Sequence, residues 1–192
     1  RLPDQDAVEA AEFVPAASGG PDQNGYTWSD ASINWIDAVG GGTDTGLSGP
    51  SENNATGAIA LPFPFKYYEN TYNAIYIAAP GYITFSPYVN WEQQFRPRMP
   101  SAPNNVISVY PSPLRLASNG GNNRVYYKFG GTAPNRYVVV EWLKVRDYWD
   151  DDDEFTFEAV LFENGDIWLQ YLTMNYQNGW YCGAAAIEDS IG

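Results

Sequence analysis

The run Phe155-Thr156-Phe157-Glu158-Ala159-Val160-Leu161, followed by Glu163-Asn164-Gly165-Asp166 and then Ile167-Trp168-Leu169-Gln170-Tyr171, decides the fold. Successive strand side chains point to opposite faces. Phe155, Phe157, Ala159 and Leu161 therefore share one face, and Thr156, Glu158 and Val160 share the other. Asn-Gly is the preferred two-residue hairpin turn. It predicts a hairpin that returns with Ile167, Leu169 and Tyr171 inward and Trp168 outward.

Working upstream, Tyr137 to Val145 is β-branched and almost continuous, the pattern of a central strand. Val125, Tyr127 and Phe129 alternate with Tyr126 and Lys128. Val106 to Tyr110 is a short strand stopped by Pro111 and Pro113. Tyr72 to Ile77 and Tyr82 to Phe85 flank Pro80-Gly81 as paired strands. Ile59 to Phe65 carries Pro62 and Pro64, which predicts an edge strand or an irregular extended segment. Tyr26 to Trp28, Ile33 to Ile36 and Gly183 to Ile187 are further short strands. Asp44 to Asn54 and Trp91 to Asn105 read as loops.

About ten short strands with frequent turn signals predict an all-β protein, an antiparallel, jelly-roll-like β-sandwich. Residues 1 to 24 read as an N-terminal tail, with Ser18 to Asp22 as a flexible linker, and residues 25 to 192 as the sandwich domain. The chain starts at Arg1 without a charged-then-apolar leader, as a processed product or an excised piece would.

Composition narrows the function. The 192 residues carry a net charge of -13, which repels nucleic-acid phosphates and anionic membranes. No apolar run is long enough for a membrane span. There is no His, so every His-based triad, general base and metal site is excluded. Cys182 is the one cysteine, so no intrachain disulfide or cysteine zinc cluster forms. It reads as a small buried hydrophobe. Aromatics at 16%, with 18 Gly and 14 Pro, point to an extracellular setting.

Four blocks carry a resemblance. They are Gly25-Tyr26-Thr27-Trp28-Ser29-Asp30 with Asn34-Trp35-Ile36-Asp37; Leu61-Pro62-Phe63-Pro64-Phe65-Lys66-Tyr67-Tyr68 with Thr71-Tyr72 and Pro80-Gly81-Tyr82-Ile83-Thr84-Phe85; Phe155 to Ile167; and Ala186-Ile187-Glu188-Asp189. In this order they resemble a β-sandwich module of large secreted bacterial proteins, including some subtilisin-like proteases and surface proteins. The resemblance implies secretion and an accessory or structural role without catalysis. The chain departs from that pattern at Ala79-Pro80-Gly81-Tyr82 and at Val109-Tyr110-Pro111-Ser112-Pro113.

Three constellations carry chemistry. Asp150, Asp151, Asp152, Asp153 and Glu154 follow Trp149 and concentrate enough oxygens to suit calcium, against the plainer reading of a solvated acidic loop. Trp91, Trp149, Trp168 and Trp180 offer flat rings for a polysaccharide, although sandwich cores and loop anchors use aromatics too. Glu141, Glu158 and Asp147 are the acids a glycosidase would need, but nothing places two across a cleft, and the ordinary reading is outward strand acids.

The tail supplies the main functional expectation. Val8, Ala10, Glu12 and Val14 alternate with Ala7, Glu9, Ala11 and Phe13. Residues 4 to 16 therefore suit a donor strand docked in a groove of the next subunit, with Phe13 and Val14 as anchors. Head-to-tail donation builds a homo-polymer. The expectation is a non-catalytic, self-associating subunit of a cell-surface assembly; the alternative is a carbohydrate-binding module accessory to a secreted hydrolase.

Overall fold

The computed structural model describes residues 17–50, 54–87, 104–117, 121–150, 152–176 and 185–190. Two compact units divide at Ser32 and Ile33. In the first, β1 (Ser18–Gly19) pairs with β2 (Trp28–Ser29). The Asp22 carboxylate accepts the Asn24 and Tyr26 amides and shapes the loop between them. Gly20 sits at φ +97°, where a Cβ would come 2.6 Å from the Tyr26 carbonyl oxygen. The stretch expected to be a flexible linker is thus a closed hairpin, because Asp22 and Gly20 supply turn chemistry that a reading by composition overlooks.

The second unit holds β3 (Thr43–Asp44), β4 (Gly49–Pro50), β5 (Ile59–Tyr67), β6 (Asn70–Ala78), β7 (Tyr82–Thr84), β8 (Val106–Ser108), β9 (Leu114–Leu116), β10 (Arg124–Gly130), β11 (Tyr137–Asp147), β12 (Glu154–Phe162), β13 (Ile167–Asn175) and β14 (Ala186–Glu188). All pairings are antiparallel. The large sheet runs β13-β12-β11-β10-β3, and β9 extends it from the far end of β11 with β4 beside it. The smaller sheet runs β14-β8-β7-β6-β5. The fold is the all-β sandwich that the sequence predicts. Its twelve described strands exceed the expected ten partly because a two-residue strand such as β4 lies inside a stretch that reads as a loop.

The interior explains the sequence pattern. Val138, Val140, Trp142, Phe155, Phe157, Ala159 and Leu161 are fully buried on the inner face of the large sheet. The Trp142 and Phe157 rings stack at 5.1 Å, and the Trp142 indole N–H donates to the Ala78 carbonyl of β6 at 3.2 Å. Gly81, at φ +90°, lets the chain turn under Tyr110; a Cβ there would strike the Tyr110 carbonyl. The Gly81 carbonyl in turn accepts the amides of Val109 and Tyr110.

Two bulges tune the faces. Between Trp142 and Val145 the register with β12 shifts, Lys144 adopts φ +48°, and Val145 returns to the interior opposite Phe155. Between Thr156 and Phe157 the shift leaves Leu172 of β13 as the extra residue. The β12–β13 turn also differs from the two-residue form. Phe162 N–H donates to Asp166, three residues intervene, and of these only Gly165 has positive φ, at +96°. A two-residue type I′ turn would need positive φ at both central residues.

Candidate functional site

The outer face of the large sheet carries an unusual polar row. Glu141 of β11 lies opposite Glu158 of β12, which lies opposite Gln170 of β13. Strand acids would ordinarily face water. Here Glu158 is 0% and Glu141 2% exposed. The cover is an extended strap, Ile33 to Gly41, that crosses the strands. The Asn34 amide donates to Gln170 Oε1 at 2.6 Å, the Ile36 amide to Glu158 Oε1 at 3.1 Å, and the Ala38 amide to Glu141 Oε2 at 2.9 Å. Gln170 Nε2 donates to the Asn34 carbonyl at 3.0 Å and to Glu158 Oε1 at 2.6 Å. On β10, Lys128 Nζ donates to the carbonyls of Asp37 and Gly40. Four neighbouring strands thus hold one segment of backbone with side chains.

This strap is the segment that alternation assigned to a strand at Ile33 to Ile36. Its amides bond to side chains instead of a neighbouring backbone, so it is extended but unpaired as a strand. Apolar contact seals it: Ala38 packs with Val139 and Val160, and Ile36, Tyr126, Tyr137 and Phe162 close around them. Asp37 Oδ1 accepts the amides of Val39 and Gly40 and ends the strap in a turn. One signal was available in the sequence. Glu141 and Glu158 interrupt apolar runs in the middle of their strands, and a buried acid requires a donor.

Electrostatics follow from the cover. Burial raises the Glu158 carboxyl, and the neighbouring Glu141 and Asp37 charges raise it further. Hydrogen bonds from Ile36 and Gln170 oppose them, and the balance sits at about 7. Glu141 is raised chiefly by burial. Glu158 Oε2 is buried without a hydrogen-bond partner. Two of the acids considered for glycosidase chemistry, Glu141 and Glu158, are therefore side by side under a roof, and the third, Asp147, lies at the far end of β11 opposite Leu114.

At the end of the row, β13 forms the border of the large sheet. Among the described residues it pairs only with β12. It exposes Trp168 (40%), Leu172 (56%) and Met174. Tyr171 turns back to donate to the Val109 carbonyl at 2.8 Å, and burial pushes its phenol up to about 12. Trp168 meets Phe162 edge to face at 4.6 Å. Both rings line a small pocket of about 80 Å³ with Pro134, Asn135, Glu163, Asn164 and Asp166. Arg136 grips Glu163 through Nε and an Nη, which raises the guanidinium and lowers the carboxyl.

A family model described as NIDO related matches residues 25–192. The chain belongs to the NIDO-related family. No curated protein and no solved structure matches it.

The remaining expected sites of the NIDO-related domain fall as follows. At the end of β11, Asp147 is buried and raised mainly by desolvation, and its Oδ1 accepts the Trp149 amide at 2.8 Å. Asp150 Oδ1 accepts the Asp152 amide at 3.0 Å. Asp153 is buried, and Glu154 of β12 lies opposite Arg146 of β11 in the strand register. Among the described residues, no three acids are grouped to hold a metal ion. Trp149 is exposed. It follows β11, whereas Trp168 lies on β13, and Trp149 is not among the residues lining the pocket beside Trp168. Trp91, Trp180, Asp151, Cys182 and the donor residues Val8, Ala10, Glu12, Phe13 and Val14 lie outside the described residues.

Proposed function

We propose that this NIDO-related domain is a non-catalytic extracellular interaction module that self-associates by strand addition at β13. Residues 4 to 16 of a second copy are the added strand. The observation that carries the reading is the asymmetry between long borders. β5, at the border of the smaller sheet, carries Pro62 and Pro64, which cannot donate to a ladder. β13 has nine residues, no proline and exposed apolar side chains, the features that invite pairing with another chain. The acceptor offers Leu172 and Met174 for contact, and the donor offers Phe13 and Val14. A net charge of -13 keeps free subunits apart, so salt favours assembly. The resemblance to modules of secreted bacterial proteins supports the extracellular setting.

Negative-stain microscopy and light scattering test this with three proteins: the full chain, the chain lacking residues 1 to 17, and Leu172→Lys combined with Met174→Lys. Polymers of the full chain that are lost in both variants support the reading. A monomeric full chain overturns it.

A second reading rests on the Trp168 pocket. A half-exposed indole beside Glu163, Asn164 and Asp166 combines a stacking surface with hydrogen-bonding groups, the composition that suits a pyranose. Retention on insoluble polysaccharide that disappears in Trp168→Ala supports a carbohydrate-binding module, and failure of the unaltered protein to bind removes it.

A further inference from the structure

The strap and the acid row form a device that neither reading uses. Glu141 and Glu158 are direct neighbours across β11 and β12, and each accepts one strap amide. The groups acting on Glu158 are Asp37 on the strap, Glu141 on β11 and the neutral Gln170 on β13, and Lys128 on β10 reaches the far end of the same strap. Lys128 is engaged by two backbone carbonyls. Among the described residues neither carboxylate has a cationic partner. Two adjacent buried carboxylates cannot both ionise without a large penalty, so the pair retains a proton that separate surface acids would have lost. Glu158 Oε2, buried and unpartnered, is the oxygen free to carry it.

We propose that the Glu141–Glu158 pair is a proton-operated clasp: with one proton it holds the Ile33–Gly41 strap on the sheet, and release of that proton to solvent loosens the strap and uncovers the apolar outer face. The face beneath includes Tyr126, Val139, Val160 and Phe162, and Phe162 is already in contact with exposed Trp168. Opening would extend the apolar surface next to β13. The geometry gives the direction. Full ionisation places two negative charges under the strap beside Asp37, and all three repel.

Hydrogen exchange of the Ile36 and Ala38 amides tests the clasp directly, because these amides bond to the two acids. Protection, corrected for intrinsic base catalysis, is expected to fall about tenfold or more between about pH 5.5 and about pH 8.5. Amides of the β10–β11 ladder serve as the internal control and stay protected. Glu158→Gln keeps an acceptor for Ile36 and removes the titration, so its strap stays protected at high pH. Protection that is independent of pH in the unaltered protein overturns the proposal, as does a pH dependence retained in Glu158→Gln. Carbon NMR of the glutamate carboxyls in the unaltered protein needs no variant to fold: one of the pair is expected to titrate near neutrality, and both titrating below about pH 5 also overturns it.

Discussion

The two faces of β11 and β12 solve the same problem differently. Inward, Val140, Trp142, Phe157 and Ala159 bury apolar surface against the second sheet, and Trp142 alone needs a hydrogen bond. Outward, Val139 and Val160 are just as buried, but Glu141 and Glu158 share that layer and meet a backbone segment instead of a sheet. An apolar inner face depends mainly on filled volume. The outer face depends on amides arriving at fixed acceptors. Alternation tells which residues share a face, but not whether that face meets water.

The largest effect should come from the inner face. Trp142→Ala empties a fully buried site and removes the donor to Ala78, and is expected to cost about 3–5 kcal/mol in denaturant unfolding. A loss under about 1 kcal/mol would mean that the sheets are not held together there.

The pH dependence of stability separates the faces next. A free glutamate titrates near 4.5 and Glu158 near 7 in the fold. Between these values the folded protein holds a proton that the unfolded chain has lost. Stability should therefore fall as pH rises from about 4.5 to about 7, by no more than about 3 kcal/mol, and then level. Melting temperature against pH measures it, and Glu158→Gln should flatten most of the slope.

Glu141→Ala leaves the Ala38 amide without its acceptor and should cost about 1–3 kcal/mol, restored in part by Glu141→Gln. Equal losses in both variants would show that neither the shape nor the neutral acceptor, both of which glutamine keeps, is what matters at that position. The smallest effect is expected at the border. Trp168→Ala removes one aromatic contact and should cost about 1 kcal/mol or less while changing binding or assembly. A large loss of stability would place Trp168 with the core rather than with a binding surface.

Much of the inner face was legible in sequence. The β12–β13 hairpin, the pairing of β6 with β7 and the central place of β11 all follow from alternation and turn residues. The strap was not legible, because Ile33 to Ile36 has the apolar periodicity of a strand and its partners, Gln170, Glu158 and Glu141, are more than a hundred residues away in sequence. Short-range pattern does not carry side-chain-to-backbone pairing at that separation. The turn at Glu163-Asn164-Gly165 is legible as a turn but not in its length, since Asn-Gly also fits the last two places of a three-residue loop. Trp168 was placed outward by alternation alone, but the pocket around it draws Pro134 and Asn135 from another turn.

The first hairpin changes how far the chain's beginning can stray. The Ala17 amide donates to Asp30 Oδ2 at 3.0 Å, and the Asp30 amide returns a bond to the Ala17 carbonyl at 2.8 Å. Left as a free coil, the thirteen-residue step between those two positions would give a leash of about 20 Å. Tied at both ends, they contribute almost none. Whatever residues 4 to 16 engage, they start from a point fixed beside Asp30, and the slack in any link between copies shrinks accordingly. A strand donated from that segment would leave the hairpin at Asp30, not the far end of a loose thread.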